Sequence, residues 1–146
     1  MRILVTGDRN WRNASRIAWV LDEALEIPLD RAAEEWVLIS GDAMGADIIT
    51  DVLWQMYAFG PVERHPANWK EQGPSAGPRR NQEMLDSGVD YVVGFHNDIQ
   101  SSRGTRDMLR RCATAGIPGR LFTEEGEVEN WQSLISSSQS SRETSN

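Results

Sequence analysis

Four polar segments carry the side chains in this sequence that are best suited to binding chemistry, and each follows a short apolar run, the third of them through a predicted polar loop at 66–77. They span residues 6–11, 40–47, 77–81 and 101–105. Glycines in such segments let backbone N–H groups approach a phosphate, and the positive end of a following helix adds to the attraction. None of the segments matches G-x-G-x-x-G or the P-loop pattern, so a standard dinucleotide or NTPase site is disfavoured. Taken alone, each glycine is better explained as a turn residue, and it is the convergence of four such segments on one sheet edge that favours binding.

Several side chains in these segments have two competing interpretations. Arg79, Arg80 and Asn81 stand at the predicted start of a helix, where positive charge opposes the helix dipole, and anion binding would account for that cost. Asp47, just inside another helix start, either stabilises that helix or holds a ribose hydroxyl. Trp69 either caps the edge of the core or stacks on a base. The candidate ligand-binding residues are Gly7, Arg9, Trp11, Gly41, Gly45, Asp47, Trp69, Arg79, Arg80, Asn81, Ser102, Arg103, Gly104 and Thr105.

Composition narrows the class of protein. The chain has 146 residues, 39% of them apolar, and a net charge of −7, which fits one globular domain and disfavours a broad nucleic-acid interface. Of its 15 basic residues only Lys70 is lysine, and arginine grips phosphate or carboxylate with a planar fork. The chain has one cysteine, Cys112, which excludes an intrachain disulfide and a cysteine-rich metal site. It has only two histidines, too few for a metal site made of histidines alone, and we predict no metal or cofactor. Without a bilayer-spanning apolar stretch or a signal-peptide pattern, we expect a cytoplasmic protein that does not enter the membrane.

The apolar pattern alternates between strand-like runs and helical stripes. Near-continuous apolar runs predict strands at 2–6, 36–40, 62–65, 91–95 and 119–122. Between them, apolar residues recur at helical spacing, as in Ile17, Val20, Leu21, Ala24 and Leu25, with Asn13 placed to cap that helix. The sequence therefore predicts an α/β fold: a single Rossmann-like, doubly wound domain with a mainly parallel sheet of about five strands. We place this domain at 1–135 and predict a disordered Ser-rich tail at 136–146.

Five of these motifs, in this order, resemble a known family. They are Thr6-Gly7-Asp8-Arg9-Asn10-Trp11, Gly41-Asp42-Ala43-Met44-Gly45-Ala46-Asp47, Pro66-Ala67-Asn68-Trp69, the segment 76–84 and the segment 102–108. Together they resemble the YspA-related branch of the SLOG superfamily over about residues 1–122. The resemblance implies a Rossmann-like domain that binds a nucleotide or nucleotide-derived ligand, such as a relative of NAD or ADP-ribose or a nucleoside phosphate. It also implies a bacterial or phage source.

The same superfamily contains the LOG phosphoribohydrolases, and part of their pattern is present. Arg80 resembles the catalytic arginine of M-x-x-R-K-x-x-M, and Gly104 and Thr105 match the phosphate-binding pair of G-G-x-G-T-x-x-E. The catalytic glutamate of that motif falls on Met108, which cannot activate water. Asp107 is adjacent but turned by about 100° along a helix. Asp8 and Asp42 stand where the branch would carry Ser and Gly. The candidate catalytic residues are therefore Asp8, Asp42, Arg80 and Asp107, with Asp8 and Asp42 as the preferred pair.

Three functions compete at this point. The first is a nucleotide-binding sensor or sequestering module, in which Arg80, Gly104 and Thr105 hold phosphate. The second is a hydrolase that cleaves the N-glycosidic bond of a nucleotide. The third is single-stranded DNA binding, by analogy with the DprA members of the superfamily, which the negative net charge disfavours. A homodimer that covers the helix faces near Trp19 and Trp54 is left open against simple packing at the core boundary.

Overall fold

The computed structural model of this chain describes residues 1–26 and 35–136. These residues form six strands: β1 (Arg2–Gly7), β2 (Val37–Ser40), β3 (Val62–Arg64), β4 (Tyr91–Phe95), β5 (Gly119–Phe122) and β6 (Glu127–Val128). The helices are α1 (Ala14–Trp19, continued by a π-helical turn, Val20–Ala24), α2 (Ala46–Met56), α3 (Trp69–Gln72), α4 (Ala76–Asp86), α5 (Gly104–Thr114) and α6, of which residues 131–136 are described.

One sheet joins the strands in the order β3-β2-β1-β4-β5-β6, and every pair is parallel except β5 with β6. The chain runs outward from β1 through β2 to β3, crosses back, and continues from β4 to β5. This is the predicted single Rossmann-like domain, and the α/β fold class is confirmed. The added antiparallel strand, β6, is only two residues long. It returns through a turn in which the Thr123 N–H donates to the Gly126 carbonyl at 3.0 Å.

Two hydrophobic clusters cover the two faces of the sheet. Because side chains alternate along a strand, Ile3 and Val5 of β1 belong to one cluster and Leu4 to the other. The first cluster packs beneath α1 and α2, and the second beneath α4 and α5. Burial on both faces explains why the strands have continuous apolar runs rather than alternating ones.

The segment between β3 and β4 is more helical than the sequence suggested. A polar loop was predicted at 66–77, but α3 lies within it and α4 already begins at Ala76, two residues before Pro78. Asn68 caps α3, since its Oδ1 accepts from the Glu71 N–H at 3.3 Å and its Nδ2 donates to the Glu71 carboxylate at 3.0 Å. The first bond is an N-cap contact and the second joins the two side chains, and asparagine before a helix is the signal for such a cap in the sequence.

The first helix and the two tryptophans considered for a dimer are also placed. Asn13 caps α1 as predicted, with its Oδ1 accepting from the Arg16 N–H at 3.0 Å. Trp54 is fully buried in the core, so its side chain does not contribute to an exposed face, whereas Trp19 is 42% exposed. Of the tail predicted at 136–146, only Ser136 falls within the described residues, where it belongs to α6.

Candidate functional site

The polar segments after β1, β2 and β4 meet at the carboxyl edge of the sheet, since these three strands are parallel neighbours. The chain reverses its direction of winding between β1 and β4, because α1 and α2 cover one face while α4 and α5 cover the other. Ligands of open α/β sheets bind in the crevice beyond such a reversal. The segments that carry the predicted site residues therefore lie at the edge of the sheet where a ligand is expected.

The glycines after β1 and β2 are explained by contacts within the protein. A Cβ on Gly7 would lie 2.5 Å from the Ala46 Cβ, and one on Gly45 would overlap the carbonyl oxygens of Asp8 and Arg9. Gly45 also has a φ of +83°, which L-residues other than glycine rarely adopt. These two glycines let the loop after β1 pack directly on the start of α2. The space expected for a ligand at Gly7 and Gly45 is filled by protein atoms.

The N-terminus of α2 is likewise engaged internally. The Ala46 N–H donates to the Asp8 carbonyl at 3.1 Å, and the Ile48 N–H donates to the Ala43 carbonyl at 3.2 Å. The Ile49 N–H donates to the Gly45 carbonyl at 3.0 Å. Three of the first four N–H groups of this helix therefore have protein acceptors. This helix start does not offer the open set of donors that a bound phosphate needs.

Asp47 lies beneath this loop rather than facing solvent. The residue is 6% exposed; its Oδ2 accepts from the Ala43 N–H at 3.2 Å, and its Oδ1 has no hydrogen-bond partner among the described residues. Burial raises the pKa of the Asp47 carboxyl to about 7, against the opposing effects of the Ala43 N–H and the Arg80 charge. The ribose contact predicted for Asp47 does not fit this buried position.

Arg80 is half-buried and held in place by two hydrogen bonds. Its Nη1 donates to the Gly41 carbonyl at the end of β2, and its Nε donates to the Asn81 Oδ1 at 3.0 Å. Burial lowers the pKa of its guanidinium, which the carboxylates of Asp47 and Asp42 oppose. A Cβ on Gly41 would lie 2.6 Å from the Arg80 Nη1, so Gly41 makes room for this side chain.

The buried side chain of Asn81 connects Arg80 to the start of α5. Its Nδ2 donates to the Asp107 Oδ2 at 3.0 Å and to the Gly104 carbonyl at 3.4 Å, while its Oδ1 accepts from Arg80. One amide group thus spans the distance between the arginine and the helix start. Arg80 and Asn81 lie in the second turn of α4, not at its first residues as predicted. The unfavourable interaction of the Arg80 charge with the helix dipole is therefore smaller than the sequence indicated.

The N-terminus of α5 differs from that of α2. Ser102 Oγ accepts from the Arg106 N–H at 3.2 Å, and the Asp107 N–H donates to the Arg103 carbonyl. Within residues 1–26 and 35–136, the N–H groups of Gly104 and Thr105 have no acceptor. A Cβ on Gly104 would meet no atom within 4 Å, and its φ is not positive, so neither packing nor backbone conformation requires glycine there.

Asp107, a candidate catalytic residue, has both carboxylate oxygens in contact with neighbouring side chains at the helix surface. Its Oδ1 accepts from Arg110 Nη2 and its Oδ2 from Arg111 Nε, each at 2.8 Å, in addition to the bond from Asn81. Met108 is fully buried in the second cluster. These contacts give the Asp107 carboxylate a structural role between α4 and α5. A shallow groove of about 330 Å³ between α4 and α5 has Arg110 and Arg111 in its lining.

The remaining aromatic and arginine candidates separate into buried and exposed groups. Trp11 is 3% exposed, packs on Phe95 with ring centroids 5.5 Å apart, and donates from Nε1 to the Asn13 carbonyl, so it is a core residue. Trp69 is 53% exposed, and the six-membered edge of its ring rests against Gly77 of α4.

Four further charged candidates lie on the surface. Arg9 and Arg103 are exposed, and exposed Arg79 donates from Nε to the Ser75 Oγ at 3.1 Å. Asp42 is exposed with a φ of +56°, and its N–H donates to the Ser40 Oγ. Among the described residues no contact joins Asp8 to Asp42, whereas Asp8 has a different neighbour.

That neighbour, His96, is a residue that the sequence reasoning missed. It directly follows β4, and its Nε2 lies 3.9 Å from the Asp8 Oδ2 at the point where the winding reverses. The signal in the sequence was the position of His96 at the end of a predicted strand. It was overlooked because the two histidines were considered only as metal ligands. Asp8 Oδ1 accepts from the Asn10 N–H at 2.9 Å, which leaves Oδ2 directed at His96.

The fold and this edge define a single-domain α/β protein with a polar, partly preorganised strand edge. In the described part of the chain, no helix combines the length and hydropathy needed to cross a bilayer. Nor do those residues contain three or more His, Cys, Asp or Glu side chains grouped so that they could hold a metal ion.

Comparison with known proteins gives a relative but no described activity. No family model matches the chain. The chain is 37% identical over 121 residues to the Gene 61 protein of Mycobacterium phage D29, an alignment that covers 80% of this chain and 92% of the relative. The chain belongs to the family of that phage protein.

Proposed function

We propose that this chain binds a nucleotide or nucleotide-derived ligand at the carboxyl edge of its sheet, as a sensor or sequestering module of the SLOG superfamily. The five ordered motifs support the superfamily, and the phage relative is compatible with its distribution. The position of the site follows from the reversal between β1 and β4.

The observation that carries the proposal is the junction between α4 and α5. Arg80 supplies a positive charge whose orientation is fixed by Gly41 and Asn81, and Asn81 also contacts the start of α5. The N–H groups of Gly104 and Thr105, which have no acceptor among residues 1–26 and 35–136, are donors of the kind that bind a phosphate, and the missing side chain of Gly104 lets the anion approach them. A charge-assisted contact from Arg80 adds to those donors.

Trp69 is the residue that we assign to the base. Its ring rests on Gly77, one turn before Arg80 on the same helix, and about half of its surface is exposed. An aromatic face beside a held arginine suits a planar base that carries a phosphate. The exposed Arg79 lies on the same turn and strengthens the positive potential there.

Binding without turnover is favoured over hydrolysis of the N-glycosidic bond. A reacting carboxylate near Gly104 and Thr105 would have to be Asp107, because Met108 is apolar and buried. Both Asp107 oxygens already accept hydrogen bonds from Arg110, Arg111 and Asn81, so the carboxylate is not positioned to reach a sugar carbon. We therefore expect the ligand to be retained unchanged.

A binding experiment with product detection tests this function. The protein is incubated with AMP, ADP-ribose and NAD, and chromatography reports both the retained ligand and any released base. We expect retention without base release, and retention should weaken about tenfold or more in Arg80→Gln, which removes the charge but keeps a hydrogen-bonding side chain. Arg12→Ala, which removes an exposed arginine outside the junction, should leave retention unchanged. Release of base would replace the binding function by hydrolysis, and no retention of any of the three would overturn both.

A further inference from the structure

Asp8 and His96 form a second polar site at this edge, apart from the junction between α4 and α5. They follow the neighbouring strands β1 and β4, and the Asp8 Oδ2 lies 3.9 Å from the His96 Nε2. That separation is too long for a direct hydrogen bond, but it leaves room for one oxygen atom at hydrogen-bond distance from both. The Asp8 side chain is 27% exposed and that of His96 is 12% exposed, so the pair lies at the surface of the crevice.

The hydrogen bonds around the pair fix which atom donates and which accepts. The Asp98 N–H donates to the His96 Nδ1 at 2.9 Å, so Nδ1 carries a lone pair and the proton of the neutral ring is on Nε2. Asp8 Oδ1 is occupied by the Asn10 N–H, which leaves Oδ2 as the available acceptor. The site therefore presents one donor, Nε2–H, and one acceptor, Oδ2, on either side of the gap.

The backbone holds both residues in place. The Asp8 N–H donates to the Phe95 carbonyl at 2.9 Å, and the His96 N–H donates to the Phe122 carbonyl at 3.0 Å. Side chains that are fixed before binding lose little entropy when the ligand arrives. A donor and an acceptor in such an arrangement match a group that is itself both, which a hydroxyl is and a phosphate at neutral pH is not.

We propose that Asp8 and His96 recognise a hydroxyl of the ligand's sugar, which accepts from the His96 Nε2–H and donates to the Asp8 Oδ2. The proposal rests on the proposed function for the nature of the ligand and adds its orientation. The anionic group lies at Gly104 and the sugar hydroxyl between Asp8 and His96, so the two groups are bound at opposite ends of the segment 96–104, which begins directly after β4 and reaches the start of α5. The Asp8 carboxylate repels a phosphate from its own end of the crevice.

A comparison of AMP with 2′,3′-dideoxy-AMP in wild type and variants tests this assignment by calorimetric titration. Wild type should bind AMP about tenfold or more tightly than the dideoxy analogue, since a hydrogen bond to a charged group is lost. Asp8→Asn should lower the affinity for AMP by a similar factor and leave the affinity for the dideoxy analogue unchanged. The reason is that the amide has only one acceptor oxygen for two donors, the Asn10 N–H and the ligand hydroxyl. His96→Phe should behave like Asp8→Asn, and His96→Gln, which can place an N–H near the same position, should restore part of the affinity. Glu124→Gln, an equal change of charge after β5 at the same edge, is the matched control and should change neither titration.

The outcomes separate this assignment from the proposed function. Equal affinity of wild type for the two nucleotides, or an equal loss for both in Asp8→Asn, would overturn the hydroxyl site while leaving nucleotide binding in place. Binding that Arg80→Gln does not weaken would overturn the proposed anion site. No binding of AMP, ADP-ribose or NAD would overturn the proposed function and the hydroxyl site together.

Discussion

The starts of α2 and α5 resemble each other in sequence and differ in the structure. Each follows a strand through a glycine-containing polar segment, and each is a plausible phosphate site on that pattern. At α2 the N–H groups of Ala46 and Ile48 bond to carbonyls of the protein, and the spaces beside Gly7 and Gly45 are filled. At α5 two N–H groups are unpaired among the described residues, and the space beside Gly104 is open. The same signal therefore marks close packing at one helix and an available set of donors at the other.

The largest effect that tests this comparison is expected from Gly45→Ala. A methyl group there would overlap two backbone oxygens, and the φ of +83° is unfavourable for alanine. The free energy of unfolding should fall by about 4 kcal/mol or more, which places the variant among exceptionally damaging substitutions. Urea denaturation measures this loss. A variant of wild-type stability would show that the two loops are not packed as described.

In wild type, ionisation of Asp47 should lower the free energy of unfolding by an amount on the order of 3 kcal/mol as the pH rises, and Asp47→Asn should remove this loss. The folded-state pKa, about 7, is above the ordinary value of 3.8, so the stabilising contribution is fully present below about pH 4 and is lost as the pH rises through 7. Asparagine cannot ionise and still accepts from the Ala43 N–H. The variant should therefore be more stable than wild type at pH 8 and show a flatter profile between pH 4 and 8 in urea titrations. Identical profiles would mean that Asp47 is not buried as a carboxylic acid.

Gly104→Ala should separate stability from binding. The methyl group meets no protein atom, and alanine suits a helix, so the free energy of unfolding should stay within about 0.5 kcal/mol of wild type or rise. The same methyl group should obstruct an anion at the N–H groups and weaken AMP about tenfold or more in calorimetric titration. Unchanged affinity in this folded variant would exclude close approach of the ligand to Gly104.

The smallest effect is expected from Asp107→Asn. It removes the charge that Arg110 and Arg111 share on a partly exposed helix face, so the unfolding free energy should fall by about 1 kcal/mol. Affinity for AMP should stay within about twofold of wild type, since Asp107 is assigned to the helix surface. A tenfold loss of affinity with stability unchanged would instead place Asp107 at the ligand.

The sequence was informative wherever burial leaves a periodic signal. The five predicted strands are present because their continuous apolar runs are needed for burial on both faces of the sheet. The sixth strand was missed because Glu127–Val128 is too short to show any alternation. For the candidate site, the sequence predicted the polar strand edge and the segments around Arg80 and Gly104, which the structure brings together through Asn81, and their role in binding stays a prediction.

What the sequence could not supply was the partner of each polar group. Nothing in the spacing shows that Gly41 makes room for Arg80, that Asp47 is buried, or that Trp11 packs on Phe95. These contacts join residues far apart in the chain and depend on the register of the sheet. The pairing of Asp8 with His96 has the same origin, since it follows from β1 and β4 being neighbours.

The decisive question is whether the phosphate binds at the start of α5 rather than at the start of α2, and backbone amide NMR during a titration with AMP observes both helix starts in one experiment. We expect the signals of Gly104 and Thr105 to shift with the nucleotide. Those of Ala46 and Ile48, whose N–H groups already have protein acceptors, should stay in place. Shifts at Ala46 and Ile48 with Gly104 and Thr105 unchanged would contradict this expectation and return the anion to the start of α2.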